Sequence, residues 1–180
     1  MNNETPDPDS TAEEPSQKDL QQLMATAWHE AGHAVMAISL GRLVQKVTIM
    51  PGKSQFGVGR LGVCEIGKGR SKASKDQLED EILILLAGMV AESRFTGEYC
   101  QSGASQDLRH VRRLLAQRAS SENQLERLQR RLLDKTEHLL GEAGHALAVE
   151  LIARELLQKT TVSGRAVRHF FEQAIRQSEK

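Results

Sequence analysis

The stretch from Ala27 to Val35 reads AWHEAGHAV and holds two histidines four residues apart, with a glutamate beside the first. On a helix, residues four apart share a face, with Cβ atoms about 5–6 Å apart, so His29 and His33 can present ring nitrogens to one metal ion. Glu30 does not point at the same spot. It suits a carboxylate that takes a proton from a water the metal has activated. The chemistry on offer is zinc hydrolysis, in which the pKa of that water falls to about 7 and it can attack a peptide carbonyl. Ala31 and Gly32 are small and leave room above the helix for substrate or for a neighbouring backbone. The pentapeptide alone leaves two readings open: a zinc site, or two solvated histidines on an amphipathic helix. The zinc reading needs a third protein ligand. A near copy, LGEAGHAL from Leu140 to Leu147, has Gly141 in place of the first histidine, so His145 is expected to be no ligand.

These residues must be positioned by the elements around them. Residues 1–15 carry Pro6, Pro8 and Pro15 among polar and acidic residues and read as a disordered arm. Residues 16–180 read as one domain. Ser16 with Asp19 forms a capping pair. From Leu20 to Ile38 apolar residues recur at helical spacing, which places HEAGH inside a helix that Gly41 ends. Val44 to Met50 alternates as a short strand, and Pro51-Gly52 signals a turn. Phe56 to Ile66 reads as a second strand interrupted by Gly57, Gly59 and Gly62, where another backbone can come close. A loop, GKGRSKASK, follows and lacks the spacing of a phosphate cradle. Ser74 with Gln77 caps a very apolar helix that runs to about Phe95. A loop from Gly97 to Gly103 opens a helix from about Ala104 to Arg118. Helix then continues from Ser121 to Lys159, divided near Gly141 and Gly144. Ser163 caps the last helix, with Val162 and Val167 placed as a hydrophobic staple. The fold class is mainly α with one small β-sheet, an α+β domain.

Composition removes several functions. Lys+Arg and Asp+Glu are 24 each, so no charge excess points to nucleic acid. Aromatic residues make up 3 %, too few for a stacking platform on single strands. The two cysteines, Cys64 and Cys100, fit neither a disulfide framework nor a four-cysteine zinc site, and both are expected in packing or loop roles. The longest apolar run, Ile82 to Ala91, is about half of a membrane span. A reduced, cytoplasmic setting is the expectation.

HEAGHAV followed by the strand KVTIMP resembles the peptidase domain of the FtsH family of ATP-dependent zinc metalloproteases. LLAGMVAESRFTG is similar to that family's glycine-glycine-arginine-alanine-alanine-glutamate-glutamate helix. SGASQDLRHV is similar to its threonine-threonine-glycine-alanine-serine-asparagine-aspartate-leucine element. ALAVELIARELLQKTTVSGRAV resembles its C-terminal helices. The order agrees, and the likeness runs in patches from Met24 to Phe171. The resemblance implies a helix-rich zinc peptidase domain in which Asp107 is the third ligand, in the first turn of its helix. Taken alone, an aspartate there reads first as an ordinary N-terminal helix residue favoured by the macrodipole. Glu92 matches the first of the family's paired glutamates. Late in the most apolar helix it would be costly unpaired, so it reads as a carboxylate orienting a ligand histidine or another group of the site, or as the alternative third ligand. His110, three residues past Asp107, reads as a hydrogen-bonding neighbour or a further ligand.

The chain also departs from that family. Trp28 stands where tyrosine is usual, Met89 replaces an arginine, and RLLAQRASSENQLERL replaces the segment after the aspartate. The ATPase module and transmembrane helices that normally precede such a domain are not in this sequence. The reading is an ATP-independent zinc endopeptidase with Glu30 as general base and peptide or unfolded protein as substrate, aligned along a strand edge within Phe56 to Ile66. The alternative is a non-catalytic adaptor that kept the fold. Neither nucleic acid nor a membrane span is expected. Two assemblies are compatible with it, a homo-oligomer or docking onto a separate ATPase.

Overall fold

A computed structural model describes residues 16–50, 62–100 and 103–180. The elements in order are α1 (Gln17–Ser39), β1 (Arg42–Thr48), β2 (Val63–Arg70), α2 (Gln77–Thr96), α3 (Ser105–Leu115), α4 (Glu122–Gly141), α5 (Ala143–Lys159), β3 (Thr161–Ser163) and α6 (Gly164–Ser178). This is the expected helix-rich α+β architecture. The arm at 1–15, the turn at Pro51-Gly52 and the Phe56–Leu61 part of the second strand lie outside the described residues.

α1 begins as the sequence suggests. The Asp19 N–H donates to Ser16 Oγ at 3.3 Å, and the Ser16 N–H donates back to Asp19 Oδ2 at 3.2 Å. Its apolar stripe of Ala27, Ala31, Ala34 and Val35 is fully buried. Facing it, α2 is buried over most of its length through Ile82, Leu83, Leu86, Ala87, Val90 and Ala91. The two helices meet through their smallest residues. A Cβ on Gly32 would come within 2.6 Å of the Ala91 methyl and would strike the Ala87 carbonyl. Of the two uses open to the small residues of HEAGH, the structure shows the neighbouring backbone. α5 packs under α1 with Ala148, Ile152 and Leu156 buried.

Several elements differ from expectation for physical reasons. The cap of α2 is Asp76, whose Oδ1 accepts from the Glu79 N–H at 3.0 Å, while Ser74 Oγ accepts from the Asp76 N–H. A carboxylate serves here because Arg118 reaches across from the end of α3 to both of its oxygens. The expected loop after Ile66 is instead strand as far as Arg70, antiparallel to β1. Gly67 and Gly69 permit it by lying beneath the Gln45 and Leu43 side chains, where β1 is irregular. β3 was not foreseen. Thr160 adopts φ 58° at the end of α5 and turns the chain so that Thr161–Ser163 pairs with β1. The sheet order is therefore β2-β1-β3, all antiparallel. Ser163 caps α6 by accepting from the Ala166 N–H, and Val162 and Val167 are both buried. Glu142 lies between α4 and α5, and its carboxylate faces His145 Nδ1 at 3.4 Å.

Candidate metal centre

Three helices converge on one point. His29 and His33 project from the middle of α1, Asp107 from the first turn of α3, and Glu92 from the last third of α2. Asp107 Oδ2 is 3.2 Å from His29 Nε2 and 3.4 Å from His33 Nε2. The two imidazoles stand edge to face, with ring centres 4.7 Å apart. One ligand atom from each of His29, His33 and Asp107 lies within 4.8 Å of the others.

What lies behind the rings decides what they can do. His33 Nδ1–H donates to the Ile84 carbonyl at 2.7 Å, and His29 Nδ1–H donates to Glu92 Oε2 at 2.8 Å. With Nδ1–H of each ring engaged behind it, Nε2 is the ring atom each histidine turns toward Asp107, and the one a metal ion would take in place of a proton. This is how proteins fix the tautomer of metal-binding histidines. The spacing also fits. Ligands bonded at about 2.0–2.1 Å to a tetrahedral zinc ion stand roughly 3.3 Å apart, close to the two separations from Asp107 Oδ2.

The electrostatics agree. Burial opposes an imidazolium at His29, but hydrogen bonds to Asp107 and Glu92 outweigh it and push the pKa up to about 10. Burial likewise opposes a charged Asp107, and hydrogen bonds to the two histidines hold its carboxyl far below the usual range. The arrangement demands a positive charge between the rings and the carboxylate. A proton supplies it in this form, and a divalent cation would do so with all three donors at once. Two imidazoles and one carboxylate are a donor set that suits zinc.

The His29, His33 and Asp107 cluster lines a cleft of about 460 Å³ walled by α1, β2, α2 and the start of α3. Glu30 is 7 % exposed and sits on the β2 side. Gly62 closes over it: a Cβ there would come within 2.7 Å of both Glu30 Cγ and Oε1. Cys64, expected in a packing or loop role, lines the same cleft. Burial and the Glu30 carboxylate push its thiol well above the usual range, which leaves it protonated and a poor nucleophile. Behind His29, Trp28 stacks on Phe95 with ring centres 4.4 Å apart and ties α1 to the end of α2.

His110 does not join the cluster. Its Nε2 faces Glu81 at 3.6 Å, on the exposed side of α3. His145, in the near copy of the pentapeptide, donates from Nδ1 to the Leu139 carbonyl at 2.7 Å and stacks on Phe171. It bridges the break between α4 and α5. Sequence reasoning missed Gly88 and the Ile84 carbonyl. The only available signal was a glycine in the middle of a very apolar helix.

Residues 17–121 match the model of Peptidase family M41. The ATP-dependent zinc metalloprotease FtsH of Protochlamydia amoebophila is 35 % identical over 98 residues, covering 53 % of this chain and 10 % of that protein. FtsH 1 of Rhodopirellula baltica is 40 % identical over 85 residues, covering 46 % and 12 %. FtsH of Lachnoclostridium phytofermentans is 41 % identical over 93 residues, covering 50 % and 16 %. The chain thus spans between a tenth and a sixth of the length of these relatives.

Proposed function

Because this chain belongs to peptidase family M41, we propose that it is a zinc-dependent endopeptidase in which His29, His33 and Asp107 hold the ion and Glu30 moves the proton. One observation carries the reading: both ring Nδ1 protons are engaged by buried acceptors while both Nε2 atoms face one carboxylate oxygen. Zinc, when bound, would acidify a water and polarise the carbonyl of the scissile peptide.

The chain's own groups supply the rest. Glu30 lies one residue from a ligand and is largely buried, so its carboxylate is a base close to the reacting atoms. It takes the proton of the attacking water and gives it to the leaving amine as the C–N bond breaks. Glu92 keeps the His29 ring in place throughout. The substrate is peptide or unfolded protein, because the cleft runs alongside an edge strand. Among the described residues the outer edge of β2 is unpaired, and Gly62, Cys64 and Ile66 of that segment face the cleft. A peptide can add there as a further strand, which would bring its backbone past Glu30. The hydrolytic step itself draws on no nucleotide. No helix among the described residues is long and apolar enough to cross a membrane.

Zinc content and cleavage of casein, compared for the native chain and Glu30→Gln, test the proposal. About one zinc per chain in both, with cleavage by the native chain alone, is the expected result. Equal cleavage by both would remove Glu30 as the base, and no zinc in either would remove the metal reading.

A further inference from the structure

We propose that Gly88 is a positioning residue of the metal centre, a bare stretch of backbone on which both imidazoles are seated. This rests on the metal reading above. Gly88 lies in the middle of α2, on the side facing α1. A Cβ built there would stand 2.5 Å from His33 Nε2 and 2.6 Å from both His29 Nε2 and His33 Cε1. No other glycine among the described residues would meet either metal-facing nitrogen among its nearest atoms. Ordinary contact begins near 3.4 Å, so the rings would have to withdraw by roughly 0.8–0.9 Å. Metal–ligand distances tolerate about 0.2 Å.

The same helical turn holds His33 from both ends. In an α-helix the Ile84 carbonyl accepts the N–H of residue 88. Here it also accepts His33 Nδ1–H at 2.7 Å. The ring is thus anchored at Nδ1 by the start of that turn and given space at Nε2 by its end. A side chain at position 88 would push the ring away from the very turn that anchors it. Alanine would ordinarily be the better residue in a helix interior, so glycine at this position sacrifices local stability for the room the rings need.

The test is Gly88→Ala, read by zinc affinity against a chromophoric chelator, by the visible spectrum of the cobalt-substituted chain, and by thermal unfolding of the zinc-free chain. Changes around metal ligands cost about 10–100-fold in affinity. The expected result is a loss of roughly 100-fold and altered cobalt bands, with the zinc-free chain still folding cooperatively. Native zinc affinity with an unchanged cobalt spectrum would overturn the proposal. If Gly88→Ala does not fold, the substitution is repeated in a His29→Ala/His33→Ala background, which removes both rings. Folding equal to that background supports the seat, and failure to fold there overturns it, because the methyl would then collide with something else. A native chain that binds no zinc refutes the proposed function. Zinc held equally by both chains refutes only the role of Gly88.

Discussion

Replacing Glu92 gives the sharpest test of how the centre is organised, because its effect should depend on pH in a non-obvious direction. Glu92 Oε2 accepts from His29 Nδ1–H at 2.8 Å, and both side chains are buried. A hydrogen bond to a charged group contributes about 1.5–3 kcal/mol, a neutral one about 0.5–1.5 kcal/mol. Glu92→Gln should therefore weaken the hold on a bound ion by about 1–1.5 kcal/mol, or roughly tenfold. Glu92→Ala leaves the ring N–H with no acceptor in a buried place, which adds about 1–3 kcal/mol. Its loss should be roughly thirtyfold at the least and can exceed a hundredfold. The same carboxylate, however, helps to raise the His29 pKa to about 10. Near neutral pH zinc must displace that proton. Removing the charge weakens the competitor as well as the ion, so part of the loss is hidden at pH 7. The gap between the native chain and Glu92→Gln should widen as pH rises toward 9. Competition with a chromophoric chelator in zinc-buffered solution at both pH values measures it. A gap that narrows with rising pH, or no gap at pH 9, would refute the view that Glu92 acts through His29.

Two further outcomes are expected. Asp107→Ala should lower zinc affinity more than Glu92→Ala, by at least roughly 100-fold, whereas His110→Ala should leave it unchanged, since that ring faces Glu81 at 3.6 Å. The reverse order, measured in the same chelator assay, would make Glu92 the third ligand. Asp76→Asn keeps an acceptor for the α2 cap but breaks the pair with Arg118, a solvent-exposed contact that contributes about 0.2–1 kcal/mol, while Asp76→Ala should cost about 1 kcal/mol more. Arg118 holds the Asp76 carboxyl at about 2, below its ordinary 3.8. A depressed carboxylate stabilises fully above 3.8 and loses its contribution as pH falls through about 2. The native chain and Asp76→Asn should then differ in urea unfolding at pH 5 and converge near pH 2.

Much of the site could be read from one helix. His29, Glu30 and His33 are set by spacing along α1, and an α-helix converts that spacing into geometry without help from the rest of the chain. Asp107 lies 78 residues beyond His29, and no local rule links the two. Only the ordered likeness to a family pointed there. Glu92 was legible as an expensive buried charge beside the site, though which of its groups it holds, His29, was not. Gly88 was illegible for a different reason. A glycine in a helix costs about 0.5–1 kcal/mol against alanine whatever its purpose, and the purpose appears only when another helix is laid against it. The fold shows the same division. A cap and an apolar stripe placed α1, and a cap with its staple placed α6, whereas the true length of β2 and the pairing of β3 depend on contacts with β1 that no window of sequence contains. At the start of α2, Ser74 and Asp76 are both good capping residues, and the choice was made by Arg118, an element away.

The centre draws on α1, α2 and α3, and this has a consequence for the life of the chain before it is fully folded. The helix with His29, Glu30 and His33 is made before α2 and α3. It remains chemically harmless until α2 supplies the seat and the anchors, and until Asp107 arrives to complete the cage. Loss of the α1–α2 crossing at Gly32 and Gly88 would scatter the donors. On the proposed function, hydrolytic capacity thus exists only while α1, α2 and α3 are packed together. A half-made or damaged copy is disarmed by its own architecture, with no separate inhibitor required.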